Sequence, residues 1–232
     1  MEGGYPMRRI SVLGVELRDY SVKESMKMVA QFLNNGSLDT VYFLTTDLLV
    51  EAKDNEELKG YIESMDVTIP VTTDILHAAE LGIRTREKEV ENNTFLNELL
   101  KKLAKEKKKI FLLAETEEDL VKMRESLLKF EDKLVFFGSY AYANLSGTED
   151  AIINEINSVI PDVVISNLAV TKHEKLICEN KMKVNAKLWV AIKSVSLKTT
   201  HAGELKRSTL YTLIDKTIFK RIVSKYENKK NE

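Results

Sequence analysis

Short β-branched apolar runs alternate along this chain with longer stretches in which apolar residues recur at helical spacing. The runs at 10–17 (ISVLGVEL), 40–45, 67–69, 109–114 (KIFLLA), 133–138, 162–166 and 187–192 read as strands. Several are apolar almost throughout, the mark of parallel strands buried on both faces. Between them, Ser21-Val22-Lys23-Glu24 is a capping box opening a helix with Val22, Met26, Val29 and Leu33 on one face, stopped by Gly36. Thr116 and Thr148 open two more helices, with buried stripes at Leu120, Met123 and Leu127 and at Ile152, Ile156 and Val159. Strand and helix in repeated alternation predict an α/β fold, a Rossmann-like, mostly parallel sheet with helices on both faces.

No Pro/Gly/Ser linker or internal repeat divides the chain. The reading is one core over 7–204 and a short C-terminal appendage over 205–232, helical across 205–226. In such a core, ligands sit outside the carboxyl ends of the strands, so the loops at 45–47, 70–74, 114–118 and 166–174 matter most. Neither G-x-G-x-x-G nor the P-loop pattern is present, and no D-x-D pair stands ready to bring a divalent ion to a diphosphate. These absences remove the main support for dinucleotide, P-loop and metal-diphosphate chemistry.

Composition narrows the picture further. The chain has 232 residues, 44% hydrophobic and 31% charged, an ordinary globular balance. No apolar run approaches the ~20 residues that span a bilayer, and MEGGYPMRRI lacks the apolar core of a signal peptide, so a cytoplasmic location is expected. Cys178, the single cysteine, excludes an internal disulfide and lies among apolar neighbours that suit an inert thiol. Abundant Lys and Glu with one glutamine, Gln31, fit a thermophilic source. Net charge is −1, yet residues 193–232 carry ten Lys or Arg against four Asp or Glu, a local +6. That end suits peripheral contact with an anionic membrane at its inner face, or simply a solvated helix. Without aromatic stacking platforms or a recognised module, nucleic acid is not expected as a partner.

The stretches ISVLGVEL, KKKIFLLAETEEDL, IINEINSVIPDVVISNLAVTKHEKLI and HAGELKR, in this order, resemble the WecG/TagA/CpsF glycosyltransferase family from about residue 10 to about 210. The resemblance implies transfer of an N-acetylhexosamine from a UDP-sugar to an undecaprenyl-diphosphate-linked acceptor in cell-envelope polymer synthesis. It also implies that no metal or other cofactor is required, and that a C-terminal appendage approaches the membrane and helps close the site. Several motif positions depart from the family. Its Thr-Pro-Asn matches Phe43, Leu44 and Thr45, and the Asp-Gly whose aspartate is the proposed base matches Val71 and Thr72. The Gly-x-Pro-Lys-Gln-Glu run corresponds to 169–174, keeping Lys172 and Glu174 and placing His173 at the glutamine. The aspartate of Phe-Asp-x-x-x-Gly becomes Thr199, and Arg-Ala-Pro becomes Arg207-Ser208-Thr209.

Valine cannot take a proton, so Asp74 and His173 become the candidate catalytic bases. Each has a plainer reading. Asp74 suits the cap or first turn of a helix over Ile75–Leu81, and His173 suits a helix opened by a Thr171–Glu174 capping box. Lys172 and Arg207 are candidates to hold the diphosphate, and Thr45, Asp47, Thr72 and Glu174 to contact the substrate. Thr45 and Asp47 equally suit a cap for the helix running through Ala52. His77 with Glu80 and His201 with Glu204 have i, i+3 spacing, too little for a metal site. Leu210, Leu213, Ile214, Ile218 and Val223 form a stripe on the last helix that suits packing against the core or a second copy in a homo-oligomer. Two readings stand: a transferase with a changed site, or a non-catalytic relative that keeps the fold as a ligand- or partner-binding module.

Overall fold

The computed structural model describes residues 8–169, 171–192, 198–199, 205–206 and 211–230, with side-chain surroundings over 8–169, 171–192 and 217–229. The apolar run at 10–17 is two strands rather than one. β1 (Arg8–Val12) and β2 (Val15–Asp19) form an antiparallel hairpin in which Val12 faces Val15. Leu13 and Gly14 between them have φ of 53° and 80°, the two positive angles that a type I′ turn demands. The capping box predicted at Ser21 is present. The Ser21 hydroxyl accepts from Glu24 N–H, the Glu24 side chain accepts from Ser21 N–H, and α1 (Val22–Phe32) follows.

The core then alternates as the sequence pattern requires. β3 (Asp39–Leu44) is followed by α2 (Thr46–Ala52) and α3 (Glu56–Glu63), and β4 (Val67–Pro70) by α4 (Thr73–Ala78), α5 (Arg84–Glu91) and α6 (Thr94–Lys105). β5 (Lys109–Ala114), α7 (Glu117–Phe130), β6 (Val135–Ala141), a 3-10 turn at Tyr142–Asn144 and α8 (Asp150–Val159) come next. β7 (Val163–Asn167), α9 (Lys172–Asn180) and β8 (Leu188–Ala191) complete the sheet. Its six strands, all parallel, run in the order β4-β3-β8-β7-β5-β6.

Successive strand residues point to opposite faces, and each face has its own core. Val41, Phe43, Ile110, Leu112, Val163, Ile165, Leu188 and Val190 pack with the apolar sides of α1, α6 and α7. Tyr42, Leu44, Phe111, Leu113, Val164, Trp189 and Ala191 pack with α2, α3, α8, α9 and the hairpin. Burial on both faces explains why these strands read as continuous apolar runs.

The C-terminal region departs from an uninterrupted helix over 205–226. β9 (Lys198–Thr199) pairs antiparallel with β10 (Leu205–Lys206), so the backbone there has ladder partners, and α10 is described over Tyr211–Lys230. Phe219, 2% exposed, anchors α10 to the second core together with Ile222, Val223 and Tyr226. Of the predicted stripe, Val223 faces inward, Ile218 is 52% exposed, and Leu210, Leu213 and Ile214 lie outside the residues with described side chains. Among the described residues no helix is long and apolar enough to cross a membrane.

Candidate functional site

All four loops singled out in the sequence lie at the carboxyl edge of the sheet, but in two groups set apart by the strand order. β3 and β4 carry Thr45, Asp47 and Thr72–Asp74, while β5, β6 and β7 carry Glu115, Tyr142, and Asn167, Ala169, Thr171 and Lys172. β5 leads outward to β6 and β7 leads back toward β8, so β5 and β7 are adjacent strands whose connections diverge. Ligands of open α/β sheets collect at such a point.

The first group consists largely of helix entries. Thr45 caps α2, its hydroxyl accepting from Leu48 N–H at 3.2 Å, and Asp47 is exposed in the first turn of that helix. Thr72 precedes α4 without making a side-chain cap bond, and its buried hydroxyl has no hydrogen-bond partner among the described residues. Asp74 is the second residue of α4, so it is a first-turn acid rather than the cap, and only 4% of it is exposed. Val71, 9% exposed, extends the ladder by donating its N–H to the Leu44 carbonyl at 2.9 Å. Its side chain lines a small cavity of ≈ 30 Å³ with Tyr20, Ser25, Arg86, Glu89 and Phe95. Arg86 there is gripped by Asp19 at 2.5 Å and by Glu89. Burial alone would lower the guanidinium pKa, and the two carboxylates overcome it and raise the value.

The second group forms the charged cleft. Lys172 Nζ lies 2.7 Å from Glu115 Oε1 and 4.2 Å above the centre of the Tyr142 ring. The other Glu115 oxygen accepts from Ala169 N–H at 3.2 Å. Tyr142 donates its hydroxyl to Glu149 at 2.9 Å. Burial, then that hydrogen bond and the charges of Glu149 and Glu115, pushes the phenol up to about 12, so it remains a donor at neutral pH. Tyr142, Thr148–Asp150 and Thr171–Lys172 line the upper part of an open cleft of ≈ 590 Å³ that continues down between α8 and α9 past Lys175 and Lys183. Thr45, Asp47, Thr72 and Asp74 are not among its lining residues.

His173 and Glu174 lie beneath this cleft, each 0% exposed. Trp189 Nε1, which can only donate, bonds to Ser166 Oγ at 2.7 Å, and Ser166 Oγ lies 2.6 Å from His173 Nε2. Ser166 Oγ and His173 Nε2 share one proton, held by the hydroxyl or by the ring according to the histidine tautomer. Glu174 accepts from the buried Tyr42 hydroxyl. The predicted Thr171–Glu174 capping box is absent, because Thr171 has φ of 68° and bonds Glu51 at 3.2 Å while Glu174 turns inward to Tyr42. These bonds lock the start of α9 to the sheet and to α2, and they fix where Lys172 emerges.

His77 meets Glu87 at 2.6 Å rather than Glu80, since Glu80 at φ 56° has left the helix. Among the described residues no three His, Cys, Asp or Glu side chains are grouped as a metal site would need. Arg207, His201 and Glu204 lie outside the described residues. Cys178 sits 3.3 Å from the Ser64 hydroxyl, and burial raises its thiol pKa, which suits an inert thiol. The sequence reading missed Glu115, Tyr142 and Glu149. Only Glu115 fell inside a flagged loop, while the strand expected at 133–138 runs on to Ala141 and delivers Tyr142 to the edge.

The model of the glycosyl transferase WecG/TagA/CpsF family matches residues 10–209, most of the chain. No curated protein matches it.

Proposed function

Since the chain belongs to the WecG/TagA/CpsF glycosyltransferase family, we propose that it transfers an N-acetylhexosamine from a UDP-sugar to a lipid-diphosphate-linked acceptor. The observation that carries this reading is the family match together with a lysine at the diverging strand ends, where a departing diphosphate needs a cation. In the proposed reaction an acceptor hydroxyl oxygen attacks the anomeric carbon of the donor. The bond from that carbon to the diphosphate oxygen breaks, and its electron pair leaves with UDP beside Lys172. Asp74 takes the hydroxyl proton, a step worth about 10²–10⁴ in rate. Asp74 is favoured over His173 because the imidazole is 0% exposed and hydrogen-bonded to Ser166, whereas Asp74, 4% exposed, starts α4 at the carboxyl edge. Asp74 lies outside the Lys172 cleft, so the acceptor hydroxyl must reach it across the ends of β3 and β8. His173 and Glu174 are assigned to holding α9 in place. Thr45, Asp47 and Thr72 are assigned to the sugar and ribose, and Arg207 to the diphosphate as a second cation. No step requires a metal or other cofactor.

The outward side of α10 presents Thr217, Lys220, Arg221, Ser224 and Lys225. Three cations there suit the proposed peripheral contact with an anionic membrane at its inner, cytoplasmic face.

A second reading, a non-catalytic relative that binds a ligand or partner, draws on one observation. The position matching the family's base is a nearly buried valine beside an arginine already held by two carboxylates. Incubation of the purified protein with labelled UDP-N-acetylhexosamines and a short-chain lipid-diphosphate acceptor separates the two. Transfer of label to the lipid, lost in Lys172→Met, supports the enzyme; UDP-sugar binding without any transfer supports the non-catalytic relative.

A further inference from the structure

The cleft has an unusual charge arrangement for a site meant to receive an anion. Each of its three lysines is engaged: Lys172 with Glu115 at 2.7 Å, Lys183 with Asp150 at 3.0 Å, and Lys175 with Glu179 at 3.9 Å. Glu149 is bonded to Tyr142. The lining charges together with Glu115 therefore come to three positive and four negative. An incoming diphosphate meets no net attraction unless one of these pairs opens.

Glu115 is the pair placed to open. One oxygen takes the Lys172 ammonium and the other takes the Ala169 N–H, so its carboxylate sits across two donors from the loop between β7 and α9. A phosphate group uses the same donors, a lysine and a backbone N–H at a strand-to-helix loop. The donors themselves are firmly set. Thr171 is tied to Glu51, His173 to Ser166 and Glu174 to Tyr42, and the Lys172 ammonium rests on the Tyr142 ring. Lys172 and Glu115 are equally exposed, at 35% and 37%; Glu115 leaves the strand end just before α7, so a change of rotamer moves its carboxylate into water. A surface ion pair of this exposure is weak, and a dianion outcompetes a single carboxylate for the same cation.

We infer that the Lys172 ammonium and the Ala169 N–H form an anion seat for a diphosphate group, occupied in the ligand-free protein by the Glu115 carboxylate, which must be displaced on binding. This rests on the proposed assignment of Lys172 to the donor diphosphate and adds a built-in competitor to it. The competitor sets donor affinity and discriminates against weak monoanions.

The test measures binding of inorganic pyrophosphate, UDP and a UDP-N-acetylhexosamine by calorimetry to wild type, Glu115→Gln, Glu115→Ala and Lys172→Met, with thermal melts as a folding control. Both Glu115 variants are expected to bind pyrophosphate and UDP about 2- to 5-fold more tightly than wild type, the range that loss of a weak, half-exposed competing ion pair allows. Lys172→Met is expected to lose the pyrophosphate affinity. Pyrophosphate that binds the Glu115 variants no better than wild type, or that binds none of the proteins, overturns the inference. If wild type nevertheless transfers sugar from UDP-N-acetylhexosamine, the proposed function survives that failure. Tightened pyrophosphate binding with no UDP-sugar transfer would instead uphold the seat and remove the enzyme.

Discussion

Replacing Ser166 by alanine isolates the network that fixes α9. The hydroxyl is the acceptor for Trp189 Nε1–H at 2.7 Å and the partner of His173 Nε2 at 2.6 Å, and all three residues are 0% exposed. Removing one oxygen leaves almost no void, so the cavity contribution is small. What remains is an indole N–H that can only donate and an imidazole nitrogen deprived of its hydroxyl partner, both away from water. A stranded buried polar group costs about 1–3 kcal/mol, which puts Ser166→Ala at about 2–4 kcal/mol, allowing for incomplete additivity. In a chain of this size that is a fall in melting temperature of about 4–16 °C. Urea denaturation followed by tryptophan fluorescence reports directly, because Trp189 is the only tryptophan. The midpoint should fall with the slope unchanged. Adding Trp189→Phe removes the stranded N–H, so the double variant, followed like the Trp189→Phe single by circular dichroism because neither retains a tryptophan, should lose less than the sum of the two single changes. A Ser166→Ala protein within about 0.5 kcal/mol of wild type, the range of an ordinary surface substitution, would show that this network does not hold the fold.

Two other perturbations test the scaffold. Glu24 has its pKa lowered, first by the hydrogen bond from the Ser21 side chain, so its carboxylate stabilises the fold above the unfolded value and this is lost as pH falls through the lower folded value. Glu24→Gln should therefore show a smaller drop in urea midpoint between pH 7 and pH 3 than wild type; an equal drop would remove the capping box from the acid response. Gly14→Ala forces a side chain onto φ 80° and drives its Cβ into the Tyr226 hydroxyl oxygen. A loss of about 1–3 kcal/mol is expected, only partly recovered by adding Tyr226→Ala because the backbone strain stays; complete recovery would show that strain contributes nothing.

The strands were legible because burial on both faces leaves a run of β-branched and apolar residues with no polar alternation. The Ser21 and Thr116 caps were legible because capping is local chemistry, confirmed at Thr116 by its 3.1 Å bond from Asp119 N–H. Legibility failed where a residue's partner is far along the chain. Glu174 fits a local capping box, yet its partner is Tyr42, 132 positions away, and the histidine beside it belongs to Ser166 and Trp189. The hairpin at Leu13-Gly14 was masked because leucine is an uncommon residue at positive φ, so the turn looked like mid-strand. Helices α5 and α6 have no counterpart among the elements predicted above, although Phe95, Leu96, Leu99, Leu100 and Leu103 carry helical spacing, and all five are buried in the core on one face of the sheet. The Lys172 position was visible through the family resemblance, whereas its pairing with Glu115 and Tyr142 depends on which strands lie side by side.

Under the proposed function, the carboxylate of Asp74, three residues beyond Val71, performs the proton abstraction that a valine cannot. Single-turnover transfer from a UDP-N-acetylhexosamine to a lipid-diphosphate acceptor, compared among wild type, Asp74→Asn and Val71→Asp/Asp74→Asn, tests it most directly. The predicted result is a fall of about 10²–10⁴ in rate for Asp74→Asn, with part of it restored when aspartate stands at position 71. An Asp74→Asn protein that transfers sugar at the wild-type rate would contradict the claim.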